Sequence, residues 1–349
     1  MLELLKELCE CPGVPGREER LRAIVRRELE GVVDEWRVDA LGNLIGHKRP
    51  RGRRKRPRLM LAAHTDEIGF LVSFIEDKGF LRVVPLGGHD PRNLVAQRVL
   101  VQGAQELPGV LYPGMKPTHL LTEEERKKIP QVSDFFVDVG LPVERIRELV
   151  PIGSAVTLQR DFAEIGETVC CKAMDDRLAV YVMIRALQQA QKFAFEVFAV
   201  ATSQEEVGLR GAMVSAYGLE PDVGIALDVT IAADIPGVPD HERVTQLGQG
   251  AAIKIMDSYS ISHPKLVAFL KSLAERRGIP HQWEILPRGG TDAGAIQRVR
   301  AGVPAATLST PSRYVHTSVE MAHKSDIQAT IDLLAAFLEE GDQADLTLV

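Results

Sequence analysis

At 349 residues, with 45% hydrophobic and 26% charged side chains, the chain has an ordinary globular composition and room for two domains. A net charge of −6 over that length argues against a dedicated nucleic-acid or membrane binder, and no apolar run is long enough to span a bilayer. Cys9, Cys11, Cys170 and Cys171 form no C-x-x-C pair and no zinc-ribbon spacing, which suits buried thiols in a reducing, cytoplasmic setting.

Leu2, Leu5 and Leu8, then Leu21, Ile24, Val25 and Leu29, recur at helical spacing, so residues 1–35 read as helices around a CPGVPG turn. A strand is expected from Val38 to Ile45, with a Gly42-Asn43 turn signal near its middle. The basic segment HKRPRGRRKRPR at 47–58 has no interleaved aromatics and reads as a solvated loop between two strands. RLMLAAH at 58–64 reads as a buried strand that ends in His64. FEVFAVATSQEE (195–206), VGIALDV (223–229) and AATLSTPSRYVH (305–316) repeat the design, delivering Glu205 and Glu206, Asp228 and His316.

Helical patterns fall between these strands, at 176–191, 206–217 and 263–277. The alternation predicts an α/β fold with a mixed, largely parallel, doubly wound sheet flanked by helices. In such a sheet the functional groups gather beyond the carboxyl ends of the strands. From Glu67 to Gly166 the pattern changes to short strands and turns. The expected organisation is therefore a discontinuous α/β domain, 1–67 and 166–349, interrupted by a β-rich domain at 68–165. Inside the insertion, Thr122 and Glu125 spell a capping box that opens a helix over 122–130.

His64, Asp175, Glu206, Asp228 and His316 read as the ligands of two metal ions, since borderline divalent ions such as zinc take imidazole and carboxylate together. Asp175 is expected to bridge, with His64 and Asp228 completing one shell and Glu206 and His316 the other. An ion pair of this kind clamps a water, lowers its pKa and polarises a scissile carbonyl. Glu205, pointing away from Glu206 by strand alternation, is the expected general base, taking a proton from the water and returning it to the leaving amine. Asp66, two residues after His64, is expected to orient its imidazole. Each fragment alone is weak, because H-x-D, an EE pair and DDR all occur as ordinary surface or capping features. Their common placement at strand ends carries the reading. His89, His241, His263, His281 and His323 lack partner spacing and read as core or surface residues, and His119 as structural. Gly289 and Gly290 either let backbone approach a substrate or form a plain turn.

Taken together, HTDEIGF, GMKPTH, KKIPQVSDFFVDVG, KAMDDR, TSQEEVGLRGA, ALDV, PRGGTDAGAI and STPSRYVHTSVEM resemble the M42 metallo-aminopeptidases, the glutamyl, deblocking and TET peptidase family, over nearly the whole chain. The resemblance implies two zinc or cobalt ions on His64, Asp175, Glu206, Asp228 and His316, with Glu205 as base and Asp66 as orienting carboxylate. It further implies a zinc-peptidase-type catalytic domain interrupted by a β-barrel or PDZ-like dimerisation and lid domain. Dimers would build a hollow tetrahedral dodecamer that acts on peptides. Ala63 stands where the family often has glycine, and the basic loop is long; neither touches a proposed ligand. The same residues could run a deacylase or amidohydrolase on N-acyl amino acids. A glycosidase, which needs two carboxylates around a sugar and usually no metal, fits them less well, as does a non-enzymatic peptide-binding shell. Specificity at the cleaved N-terminus resides in loop side chains that sequence does not place.

Overall fold

The computed structural model describes residues 2–50, 52 and 55–348. Helices α1 (Glu3–Glu10) and α2 (Glu19–Leu29) come first, then the hairpin β1 (Glu35–Val38) and β2 (Leu44–Lys48). The stretch from Val38 to Ile45 is thus two strand ends and a turn, because Asp39 Oδ1 accepts the N–H groups of Leu41 and Asn43 and bends the chain. The basic segment begins inside β2, which takes in His47 and Lys48, and its residues Arg51, Arg53 and Arg54 lie outside the described residues.

After β3 (Arg58–His64) come β4 (Gly69–Ile75), β5 (Leu81–Leu86), β6 (Gln97–Gln102) and β7 (Glu106–Pro113). A short α3 (Glu123–Arg126), β8 (Phe135–Asp138), α4 (Val143–Leu149) and β9 (Ala155–Leu158) complete this part of the chain. The six strands β4 to β9 close a barrel in the order β4-β5-β8-β7-β6-β9. Phe70, Val72, Val99, Val101, Phe135, Val137 and Val156 fill it, alternating with outward residues as a barrel requires. The capping box forms as expected, with Thr122 Oγ1 accepting from Glu125 N and Glu125 Oε2 from Thr122 N, but its helix stops at Arg126 rather than 130.

The chain then returns through β10 (Ala163–Ile165), β11 (Thr168–Cys171), α5 (Met174–Gln189), β12 (Glu196–Thr202), α6 (Arg210–Leu219) and β13 (Val223–Ile231). β14 (Ala251–Met256), α7 (Pro264–Arg277), β15 (His281–Ile285), α8 (Asp292–Ile296), β16 (Ala305–Arg313), β17 (Glu320–His323) and α9 (Lys324–Glu340) finish it. These strands join β1, β2 and β3 in an 11-stranded sheet. At its centre β12, β3, β13 and β16 run parallel, with Thr202 beside His64 and Asp228 beside Ser309. Antiparallel strands cover both flanks.

Alternate residues of β3 enter opposite cores. Leu59, Leu61 and Ala63 pack with α1, α5, α7 and α9, while Met60 and Ala62 pack with α6 and α8. That two-sided burial is why β3 is an unbroken apolar run. α5 is apolar almost all round because it lies between the sheet and α9. Among the described residues no helix is long and apolar enough to cross a membrane.

The turn between α1 and α2 is fixed from beneath by a fully buried cation, Arg177. Its Nη1 donates to the carbonyls of Leu8 and Cys11, and its Nη2 to that of Gly13. Glu67 accepts from Gly13 N at 3.0 Å and pairs with the buried Lys172 at 2.7 Å. Arg177 is therefore an internal strut rather than an exposed cap. Arg177→Ala removes the guanidinium donors to the Leu8 and Cys11 carbonyls, leaves the Gly13 carbonyl only the Glu67 N–H, and takes away the cation 3.6 Å from Glu67. It is expected to lower unfolding free energy by about 3–5 kcal/mol in urea melts.

Candidate metal centre

The parallel strands end together, and their ends define the site. His64 closes β3, Asp228 lies near the end of β13, and Glu205 and Glu206 follow β12. His316 follows β16, and Asp175 stands at the head of α5 in non-helical backbone. Asp175 is central: its Oδ1 lies 3.1 Å from His64 Nε2 and its Oδ2 3.2 Å from His316 Nε2. Two groups of donor atoms result, His64–Asp175–Asp228 and Asp175–Glu206–His316, each with atoms within 4.8 Å of one another. Asp175 belongs to both. Glu205 belongs to neither, and its Oε2 lies 3.9 Å from His64 Nε2.

Both imidazoles are held the same way. Nδ1–H of His64 donates to the main-chain carbonyl of Asp66, and Nδ1–H of His316 to that of Gly88, each at 3.0 Å. These bonds leave both Nε2 atoms facing Asp175, the tautomer a metal ligand needs. Gly88 lies after β5, so the barrel supplies the acceptor that orients His316. The expected partnership of Asp66 with His64 thus runs through its backbone oxygen, while its carboxylate Oδ1 stays 3.7 Å away. That carboxylate instead accepts the N–H groups of Glu205 and Glu206, both at 3.0 Å.

The expectation of a strand reaching 206 is corrected here, because β12 ends at Thr202 and α6 begins only at Arg210. Ser203, Gln204, Glu205 and Glu206 form a turn whose N–H groups are captured in succession by Asn43 Oδ1, Glu18 Oε1 and the two Asp66 oxygens. Glu205 and Glu206 diverge through this turn rather than through strand alternation.

The site concentrates negative charge away from water. Burial pushes the carboxyls of Glu205, Asp228, Asp176 and Glu320 well above their usual range, Glu206 up to about 8 and Asp292 to about 6. Burial acts on Asp175 too, but the His316 and His64 imidazoles outweigh it and hold its carboxyl below the ordinary range. For His316, burial opposes the charge, yet Asp175 and Glu206 push it up to about 10. Glu206 Oε1 is buried with no hydrogen-bond partner, 3.5 Å from His316 Nε2. Crowded carboxylates, an orphaned buried oxygen and two imidazole Nε2 atoms are the donor set that divalent cations satisfy. The residues present fit two such ions.

A cavity of about 410 Å³ opens over these groups, walled by Leu209, Ile231, Tyr259, Leu286 and Val315 beside the polar cluster. Lys254, fully buried in its floor, pairs with Glu284 at 2.8 Å and lies 3.6 Å from Asp257. A cationic residue inside the apolar strand AAIKIM was a sequence signal for it. Gly290 is needed for packing, since a Cβ there would lie 2.2 Å from the Tyr259 ring. His89 stacks on Phe70 in the barrel, whereas His119 and His241 are exposed. Glu18, Asn43 and Glu320 carried no metal-ligand spacing; their part in the site is played through backbone N–H groups. A larger cavity, about 690 Å³ between Lys48, Phe193 and Asp342, holds no comparable cluster among the described residues.

The sequence model of a family described as M42 glutamyl aminopeptidase matches residues 42–333. The chain belongs to the M42 peptidase family. A lysyl aminopeptidase of Pyrococcus furiosus is 39% identical over 355 residues, covering 99% of each chain. The structure of an aminopeptidase from the archaeon Desulfurococcus kamchatkensis superposes with a TM-score of 0.92 at 41% identity, over 97% of this chain and 94% of its own. The Pyrococcus horikoshii TET1 peptidase, which can assemble into a tetrahedron or a large octahedral shell, matches with a TM-score of 0.86 at 33% identity, over 97% and 99%.

In this M42 chain the barrel touches the site at Gly87 and Gly88. Gly87 has φ of 79°, and a Cβ there would lie 2.6 Å from Ile68 Cγ2 and 3.0 Å from Glu206 Oε2. Gly153 has φ of 86° with nothing within 4 Å. Both alanine variants strain the backbone, but only Gly87→Ala displaces a site carboxylate. It is expected to lose about tenfold or more in turnover on aminoacyl-anilides, with Gly153→Ala retaining wild-type turnover.

Proposed function

We propose that the chain is a two-ion aminopeptidase that releases the N-terminal residue of peptides. The observation that carries this reading is the pair of donor groups sharing Asp175, with Glu205 facing the same cavity outside both. His64, Asp175 and Asp228 would hold one ion, and Asp175, Glu206 and His316 the other, as zinc or cobalt. When bound, such ions supply Lewis acidity and a water of lowered pKa.

The protein's own groups do the rest. Glu205 takes a proton from the attacking water at its carboxylate and delivers it to the leaving amine nitrogen. Asp66 holds the Glu205–Glu206 turn, so base and neighbouring ligand keep a fixed spacing. The carbonyls of Asp66 and Gly88 keep the imidazoles in one tautomer. Leu209, Ile231, Tyr259 and Leu286 shield the reacting bond from bulk water.

The barrel, taken with its flanks as 68–165, is assigned as a lid and dimerisation domain, and Gly88 beside His316 supports the first role. The shells formed by the P. horikoshii relative support assembly of dimers into a dodecamer here. Four free cysteines support a cytoplasmic location.

Chelator-treated protein is expected to lose all release of amino acids from unblocked peptides and to regain it with added zinc or cobalt. N-acylated peptides should remain uncut throughout; cleavage of N-acyl amino acids alone would show a deacylase instead. Glu205→Gln is expected to lower kcat roughly 10²–10⁴-fold while still taking up both ions, read by metal analysis after gel filtration.

A further inference from the structure

Glu320, the first residue of β17, is 2% exposed and lies four residues after His316. Its two oxygens serve two different segments. Oε2 accepts the N–H of Asp175 at 2.8 Å, and Oε1 accepts the N–H of His316 at 2.7 Å. One segment leads from β11 into α5, and the other from β16 into β17. Asp175 departs from helical backbone with ψ of 103°, and His316 has φ of 62°, a left-handed conformation uncommon for a side chain that size.

The same two residues also meet through their side chains, His316 Nε2 to Asp175 Oδ2 at 3.2 Å. Glu320 therefore closes a ring, with a backbone clamp behind and the donor atoms in front. We propose that Glu320 is a positioning residue of the site, one carboxylate whose two oxygens set the spacing between the shared Asp175 and His316. The inference rests on the two-ion reading above, since the spacing it sets is that of proposed ligands.

A carboxylate suits this task and its amide does not. Glutamine of the same shape offers one acceptor oxygen and an NH₂ group, so one of the two N–H groups must face a donor. The molecule also contains an internal control. Asp326, fully buried, accepts the N–H groups of Gly248 and Gly250, each at 2.7 Å, and touches no donor group of the site.

The test is a cobalt(II) titration of metal-free protein, read by visible absorption and calorimetry, with activity measured at saturating cobalt. Wild type is expected to take up two ions per chain. Glu320→Gln is expected to weaken uptake roughly 10- to 100-fold, alter the cobalt spectrum, and lower kcat more than it raises KM. Asp326→Asn should melt earlier but titrate as wild type. Should the glutamine variant not accumulate as folded protein, Glu320→Asp, which keeps the charge on a shorter arm, carries the test with the same two outcomes. Wild-type affinity and spectrum in a folded Glu320 variant overturn the positioning role. A wild-type protein that takes up no cobalt overturns the two-ion reading, and this inference with it.

Discussion

The carboxylate of Asp175 is the constraint around which the molecule is built. It sits between two imidazole nitrogens, with Asp228 and Glu206 on either side and Glu205 against the same cavity. So many acids gathered out of water repel one another and forfeit hydration. Such a cluster is destabilising unless cations complete it. The protein accepts that cost at the carboxyl ends of four parallel strands, where the sheet beneath is a rigid, doubly covered core.

Much of the surrounding architecture prevents the cluster from relaxing. Asp66 and Glu320 are both buried carboxylates that spend their oxygens on backbone N–H groups. They tie the segments carrying Glu205, Glu206, Asp175 and His316 without competing for the space in front of them. The barrel joins the same arrangement, because its Gly88 carbonyl sets the His316 ring. His64, by contrast, takes its orienting carbonyl from Asp66, three residues before the first barrel strand.

Parts of this were legible in sequence for identifiable reasons. β3 and β13 are buried on both faces, so each contains a continuous apolar run that leads up to a polar residue, and His64 and Asp228 stood out. The barrel was visible as a run of short strands and turns with little helical pattern. The end of β12 was not legible: the turn at 203–206 exists because Asn43, Glu18 and Asp66 capture its N–H groups from distant positions. Spacing brought Asp66 next to His64 but could not say which oxygen faces the ring. Glu320 escaped for a related reason. It binds main-chain groups, one of them 145 positions away, and a backbone partner leaves no residue-type signature.

The most direct test of the central claim is anomalous diffraction from crystals of the cobalt- or zinc-loaded protein. Two anomalous peaks flanking Asp175, about 3.5–4 Å apart, are predicted, one beside His64 and Asp228 and the other beside Glu206 and His316. A single peak, or ions bound away from Asp175, would contradict the account.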